Sequence, residues 1–205
     1  MDFSVDLKEY NNLRFSNECF TFENDGVLEK YTFNHCQFKN CDFQDLLTLK
    51  CSFNDCSFKF CRFGGSIHRS SAFLNCNFDE ASLFACTFDN CKCTGSSFAG
   101  AECTGFEIKG GDYSYCSFFA CQIERSDFSN CNLKNSDLRN AKLKKSKFVG
   151  ADMSECSVHG ADLSECDFRN AIVDGVAFAS AKVKNAKVDM FGAMQVAVSL
   201  GMKVD

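Results

Sequence analysis

The sequence predicts an all-β solenoid, on three observations. A large apolar residue recurs at every fifth position from Leu28 to Val188, except at Thr48, His68, Cys93 and Cys103, and the frame of 33 consecutive units holds without insertion or deletion. Two residues before each of these centres the side chain is small: from Cys36 to Ala186 the site holds Cys, Ala, Ser, Gly or Val everywhere except Leu46 and Phe106. The last residue of a unit is often Asn or Gly, as at Asn40, Gly65, Asn90, Gly100, Asn130, Gly150 and Asn170.

A period of five excludes a helix, because five residues turn an α-helix by about 500° and successive centres wander by about 140° around it. Centre and small site lie two apart, so both point to the same side of an extended segment. The remaining residues must turn the chain, and Asn and Gly tolerate the backbone angles of such a bend. A chain that keeps burying one side and turning is a solenoid with stacked coils.

Taken in order, the elements begin with residues 1–27, where the frame is absent. Leu13, Phe15, Phe20 and Phe22 are expected to cover the first coil, since an open end exposes strand edges. Residues 28–188 are the solenoid body. Thirteen of the sixteen cysteines occupy the small site, where they are read as free thiols acting as small buried hydrophobes. Thr48 and His68 are the polar exceptions among the centres. The expectation there is a local bulge in which Leu47 or Leu49 and Ile67 turn inward, the alternative being a widened face that contacts a partner.

Residues 189–205 differ in kind. Asp189 is placed to cap a short helix from about Met190 to Ser199, and Gly201 to end it. Phe191, Met194 and Val198 share one face, to which Met190, Leu200 and Met202 add apolar surface. A monomer's cap is polar outside, so this tail is expected to meet a second copy; the alternative is that it folds back over its own last coil.

The units ADMSE, ADLSE, SDLRN and SDFSN resemble those of pentapeptide-repeat proteins. That resemblance implies a right-handed quadrilateral β-helix with four units per square coil, hence about eight coils and an interior column at every twentieth residue: Phe38, Phe58, Phe78, Phe98, Phe118, Leu138, Val158 and Phe178. Leu200-Gly201-Met202 is similar to the dimer-forming end of the quinolone-resistance members. The resemblance thus points to the Qnr, mycobacterial fluoroquinolone-resistance and albicidin-resistance group. It implies a homodimer that binds DNA gyrase or topoisomerase IV by imitating DNA and confers resistance to quinolones or a gyrase-directed toxin. A generic interaction scaffold with no topoisomerase partner is the alternative.

Composition bears on these readings. The net charge of −5 argues against direct binding of nucleic acid. No apolar run suits a membrane span, and the acidic start carries no secretory pattern, so the expected compartment is the cytoplasm, where thiols stay reduced. No Ser-His-Asp motif, phosphate loop or knuckle-spaced cysteine set is present, so neither an enzyme, a cofactor nor a metal is expected. One face of the rod carries Asp55, Asp112, Asp152, Glu155 and Asp174 against Lys92 and Lys134, and is the expected partner-binding face. It is a weak stripe beside DNA, which has one phosphate per ~1.7 Å of duplex. Lys142, Lys144, Lys145, Lys182 and Lys184 form a basic patch on another face.

Overall fold

The computed structural model describes residues 9–18 and 26–203. The chain winds as a right-handed quadrilateral β-helix in which each short extended segment pairs in parallel with the one a coil later. The offset is 20 residues throughout the body: Phe33 pairs with Phe53 and Phe53 with Phe73. At the C-terminal end Asp162 still pairs with Lys182 and Asp167 with Lys187. The expected eight coils need one correction. Continuous strand is confined to residues 9–112, about five turns of the chain, and beyond that the register is carried by single bridges.

Two kinds of corner account for this difference. In many units the residue after the bend donates its N–H to the preceding centre, as Cys61 does to Phe58 at 3.1 Å. This closes a tight turn whose third residue, Phe60, has φ 61°, the left-handed value such a turn requires. Only one residue per unit is then left to bridge. The units Val27–Glu29, Thr32–Asn34 and Leu47–Leu49 run extended through three residues. Even there the corner residue is left-handed, as at Lys30 (62°) and Lys50 (52°).

The interior is filled by the centres and their small companions. Phe38, Phe58, Phe78, Phe98 and Phe118 stack with ring centroids 4.9–5.0 Å apart. Their ring planes differ by 16° at most. All five are buried, each burial contributing roughly 1.5–3 kcal/mol. Leu138 and Val158 continue the column. Phe178 enters a 3-10 turn (Phe178–Ser180) and meets Phe168 edge-on at 5.5 Å.

The cysteines do more than fill space. Cys51, Cys91, Cys121 and Cys166 each donate Sγ–H to the carbonyl of a centre 23 residues earlier, at 2.7–3.2 Å. Ser96 and Ser136 make the same bond at 2.6 and 2.8 Å. The small site therefore favours a short side chain that is also a donor. Burial leads the causes that push the thiol of Cys91 up to about 12, so it stays protonated and keeps donating.

Residues 9–18 lie on the first coil as a further partial coil: Glu9–Asn11 pairs with Thr32–Asn34 and Arg14–Ser16 with Gln37–Lys39. The offset is 23 rather than 20, which places Phe15 on Phe38 at 4.9 Å and leaves Leu13 exposed. Phe20 and Phe22 lie outside the described residues. The helix α1 spans Met190–Ser199, with Asp189 as its N-cap accepting from Gly192 N–H at 2.8 Å and Gly201 beyond its end at φ +83°.

Candidate interaction surfaces

The Thr48–His68 irregularity is not an external site. Thr48 and His68 are both buried, while Leu47, Leu49 and Ile67 stay only half-buried, so the expected bulge is not formed. Three hydroxyls make the inward geometry affordable to the core. Ser66 donates to Phe63 O at 2.8 Å, and its oxygen lies 3.0 Å from His68 Nε2. Thr48 Oγ1 lies 2.8 Å from Nδ1 and 3.1 Å from Ser71 Oγ, which in turn accepts from Cys51 N–H. With the Ser66 proton committed to a carbonyl, Nε2 carries the hydrogen and Nδ1 accepts from Thr48. Every polar atom is satisfied by a neutral ring, and burial lowers the His68 pKa to about 3. Among the described residues no group of three His, Cys, Asp or Glu side chains could hold a metal ion.

The acidic face divides in two. Asp112, Asn132 and Asp152 are successive partners down one column, and Lys92 precedes Asp112 in it. Asp112 accepts from Asn132 Nδ2 at 3.1 Å and from Ser114 Oγ at 2.7 Å. Burial raises the Asp152 carboxyl, but the Ser154 hydroxyl and amide and the charge of Lys134 outweigh it, so the pKa is lowered. Glu155 and Asp174 stand on the same face nearby in sequence, and Asp174 accepts from Gln195 of α1. Asp55 is elsewhere: it shares Glu155's corner five coils away, roughly 24 Å along the rod, beside His35 at 3.7 Å.

Other columns neutralise themselves. Asp127, Lys147, Asp167 and Lys187 alternate in sign down one of them, with Lys147 3.2 Å from Asp127. Lys142, Asp162 and Lys182 alternate in the next, and Glu165 lies 3.3 Å from Lys144 and 3.5 Å from Lys145. The basic patch is thus interleaved with acids. Sequence summed by face could not show this; reading the second residue of each unit at intervals of twenty does.

The C-terminal end gathers a run of exposed large apolar side chains. Met190, Phe191, Met194, Val198, Leu200 and Met202 are all exposed, Met190 to 84%. Phe191, Met194 and Val198 line a groove of about 360 Å³ together with Val173 and Val176 of the last coil. The helix therefore packs beside the coil without covering it. Phe60, Phe84, Tyr115 and Phe119 are exposed rings on the rod itself, Phe119 lying beneath Arg139 at 5.7 Å.

A solenoid with a filled interior, charged columns outside and an apolar end is a surface-presenting protein. Family profiles place it: one described as a pentapeptide repeat region matches residues 116–191, and one described as pentapeptide repeats (8 copies) matches residues 76–109. The chain belongs to the pentapeptide-repeat family. Solved structures of the same fold include full-length QnrB1, a plasmid-mediated fluoroquinolone resistance protein, at 17% identity and TM-score 0.51, covering 95% of this chain and 100% of that one. Another is HetL, involved in heterocyst differentiation regulation in the cyanobacterium Nostoc sp. strain PCC 7120, at 14% identity and TM-score 0.50, covering 89% and 90%. No curated protein matches the chain. Among the described residues no helix is long and apolar enough to cross a membrane.

Proposed function

We propose that this protein is a non-enzymatic, homodimeric rod that binds DNA gyrase or topoisomerase IV in place of DNA and so protects it from quinolones or a gyrase-directed toxin. The observation that carries this reading is the uncovered apolar end. Six large side chains, from Met190 to Met202, stand exposed where a second copy would continue the rod, and Leu200-Gly201-Met202 is similar to the dimer-forming end of the quinolone-resistance group. Description of QnrB1 as a fluoroquinolone resistance protein is consistent with that partner class. The Asp112–Asp152 column, with Glu155 and Asp174, supplies the acidic face that would meet the DNA-binding groove of the enzyme.

A scaffold for some other partner is the second reading, favoured by one observation: outside that face the charged columns alternate in sign, unlike a phosphate backbone. A gyrase supercoiling assay with and without quinolone, across protein concentration, separates the two. The topoisomerase reading expects supercoiling to be restored in the presence of drug or inhibited in its absence; no effect of either kind removes it.

A further inference from the structure

The ladder that joins successive coils is interrupted at one place along a whole stretch of wall. In the 20-residue register, Cys103, Gly105, Ile108 and Gly110 should donate N–H to the carbonyls of Gln122, Glu124, Asp127 and Ser129. Gln122 and Asp127 should in turn donate to Ala101 and Phe106. None of these bonds is made. The same bonds are intact one coil earlier, where Leu83 reaches Glu102 at 2.8 Å and Ala85 reaches Thr104 at 2.9 Å. They are intact one coil later, where Ile123 reaches Lys142 at 2.9 Å and Phe128 reaches Lys147 at 2.8 Å. On the neighbouring walls the two coils stay joined by Tyr113 N–H to Asn132 O at 2.7 Å and Ser117 N–H to Ser96 O at 2.9 Å. The coils are thus splayed along two adjacent walls and the corner that joins them, and a groove of about 930 Å³ opens there between them.

The cause is legible in the side chains. Phe106 holds a small site, the only buried aromatic to do so among the described residues, and lies edge-on against Phe88 at 5.2 Å. Where a cysteine or serine lets two coils close to strand spacing, a phenyl ring holds them apart. Below it, Ser126 Oγ takes over as donor to Phe106 O, at 3.4 Å.

We infer that this groove is a binding site for an extended peptide of a partner protein, which enters as an added strand between residues 103–110 and 122–129. Two lips face each other, one rich in free N–H groups and the other in free carbonyls, spaced as a ladder. Only a polypeptide in extended form offers the alternating acceptors and donors to satisfy both. The groove wall is apolar at Cys103, Phe106 and Ile108, so the peptide alternates apolar residues inward with polar ones outward. Charge does not select the occupant: Glu107 is paired with Lys109 at 3.0 Å and Asp127 with Lys147 at 3.2 Å, and the remaining charges of the lining, Glu124 and Arg125, are of opposite sign. The site stands independently of any topoisomerase partner.

Amide hydrogen exchange on the full-length protein tests it. The amides of Cys103, Gly105, Ile108, Gly110, Gln122 and Asp127 are expected to exchange fast, and those of Ile123 and Phe128 slowly. The probe is a synthetic nonapeptide of alternating threonine and valine, which presents apolar side chains to one side and polar ones to the other as the groove requires. At saturation it is expected to slow the six lip amides by at least about tenfold, and a backbone N-methylated version is expected not to. Phe106→Ser lets the wall close, so the same amides become slow without peptide and the peptide no longer binds. Lip amides already protected in the free wild type would overturn the groove. Fast amides that the peptide leaves unchanged, or that the N-methylated peptide protects equally, would overturn the added strand. Protection that grows with protein concentration alone would make the occupant a second copy of this chain and would equally overturn the proposal.

Discussion

His68 Nδ1 lies 2.8 Å from Thr48 Oγ1 in the dry interior of the solenoid, one coil apart and at two successive centres. Imidazole and hydroxyl replace a pair of stacked phenyl rings without leaving a polar atom unpaired. The arrangement holds only while the ring is neutral, because a second ring proton would need an acceptor where Thr48 now donates.

Stability should therefore depend on pH. The His68 pKa is lowered from the ordinary 6.5 to about 3 in the folded chain, so the unfolded state binds the proton first as pH falls. The contribution is fully present above 6.5 and is lost on descending to about 3, at about 1.4 kcal/mol per pH unit. Denaturant unfolding at pH 6.5 and 4.5 should differ by about 2–3 kcal/mol in the wild type. The difference should shrink by that amount in a Thr48→Val, His68→Leu variant; an unchanged slope would show that the ring titrates normally.

Tyr113 should be more stable as Phe. The ring is fully buried, and its hydroxyl finds no partner. Tyr113→Phe removes an unsatisfied group at almost constant volume and should raise unfolding free energy by about 1 kcal/mol, read from the denaturation midpoint. A loss of stability would mean that the hydroxyl is bonded in solution.

Two adjacent glycines should respond differently to alanine. Gly110 has φ +66° with open space around its missing side chain, so Gly110→Ala should cost about 1 kcal/mol, the ordinary strain of a left-handed residue. Gly111 has φ +112°, and an added Cβ would fall 2.2 Å from Cys91 O, the backbone of the coil above. Gly111→Ala should cost about 3 kcal/mol or more, as shifted melting curves would record. Equal effects would place Cys91 further off.

The apolar end should fail as a dimer contact when charged. Met194→Asp puts a carboxylate in the groove beside Phe191 and Val198, and should give a monomer in sizing chromatography with an unchanged circular dichroism spectrum. A wild-type elution volume would count against this interface.

Much of the fold is legible from residue types alone. The five-residue frame identifies which side chains face inward, and Phe38, Phe58, Phe78, Phe98 and Phe118 stack at the spacing that a twenty-residue coil requires. The Asp189 cap and the limits of α1 also follow from local chemistry. Thr48 and His68 were misread because a polar centre looks costly until its partners are known, and Ser66 and Ser71 belong to neighbouring units whose hydroxyls the frame treats merely as small. Residues 9–18 escaped for a different reason: their offset of 23 breaks the period by which the rest is recognised.

Residue types within one unit are enough to set the repeating local event, since alternation and turn preference act within five residues. How coils match from one to the next emerges in the folded chain: Lys147 pairs with Asp127, thiols donate across coils, and Phe106 parts two of them. Those outcomes depend on contacts twenty residues apart, where side-chain volume and unpaired backbone groups are weighed against a neighbour that no local pattern names.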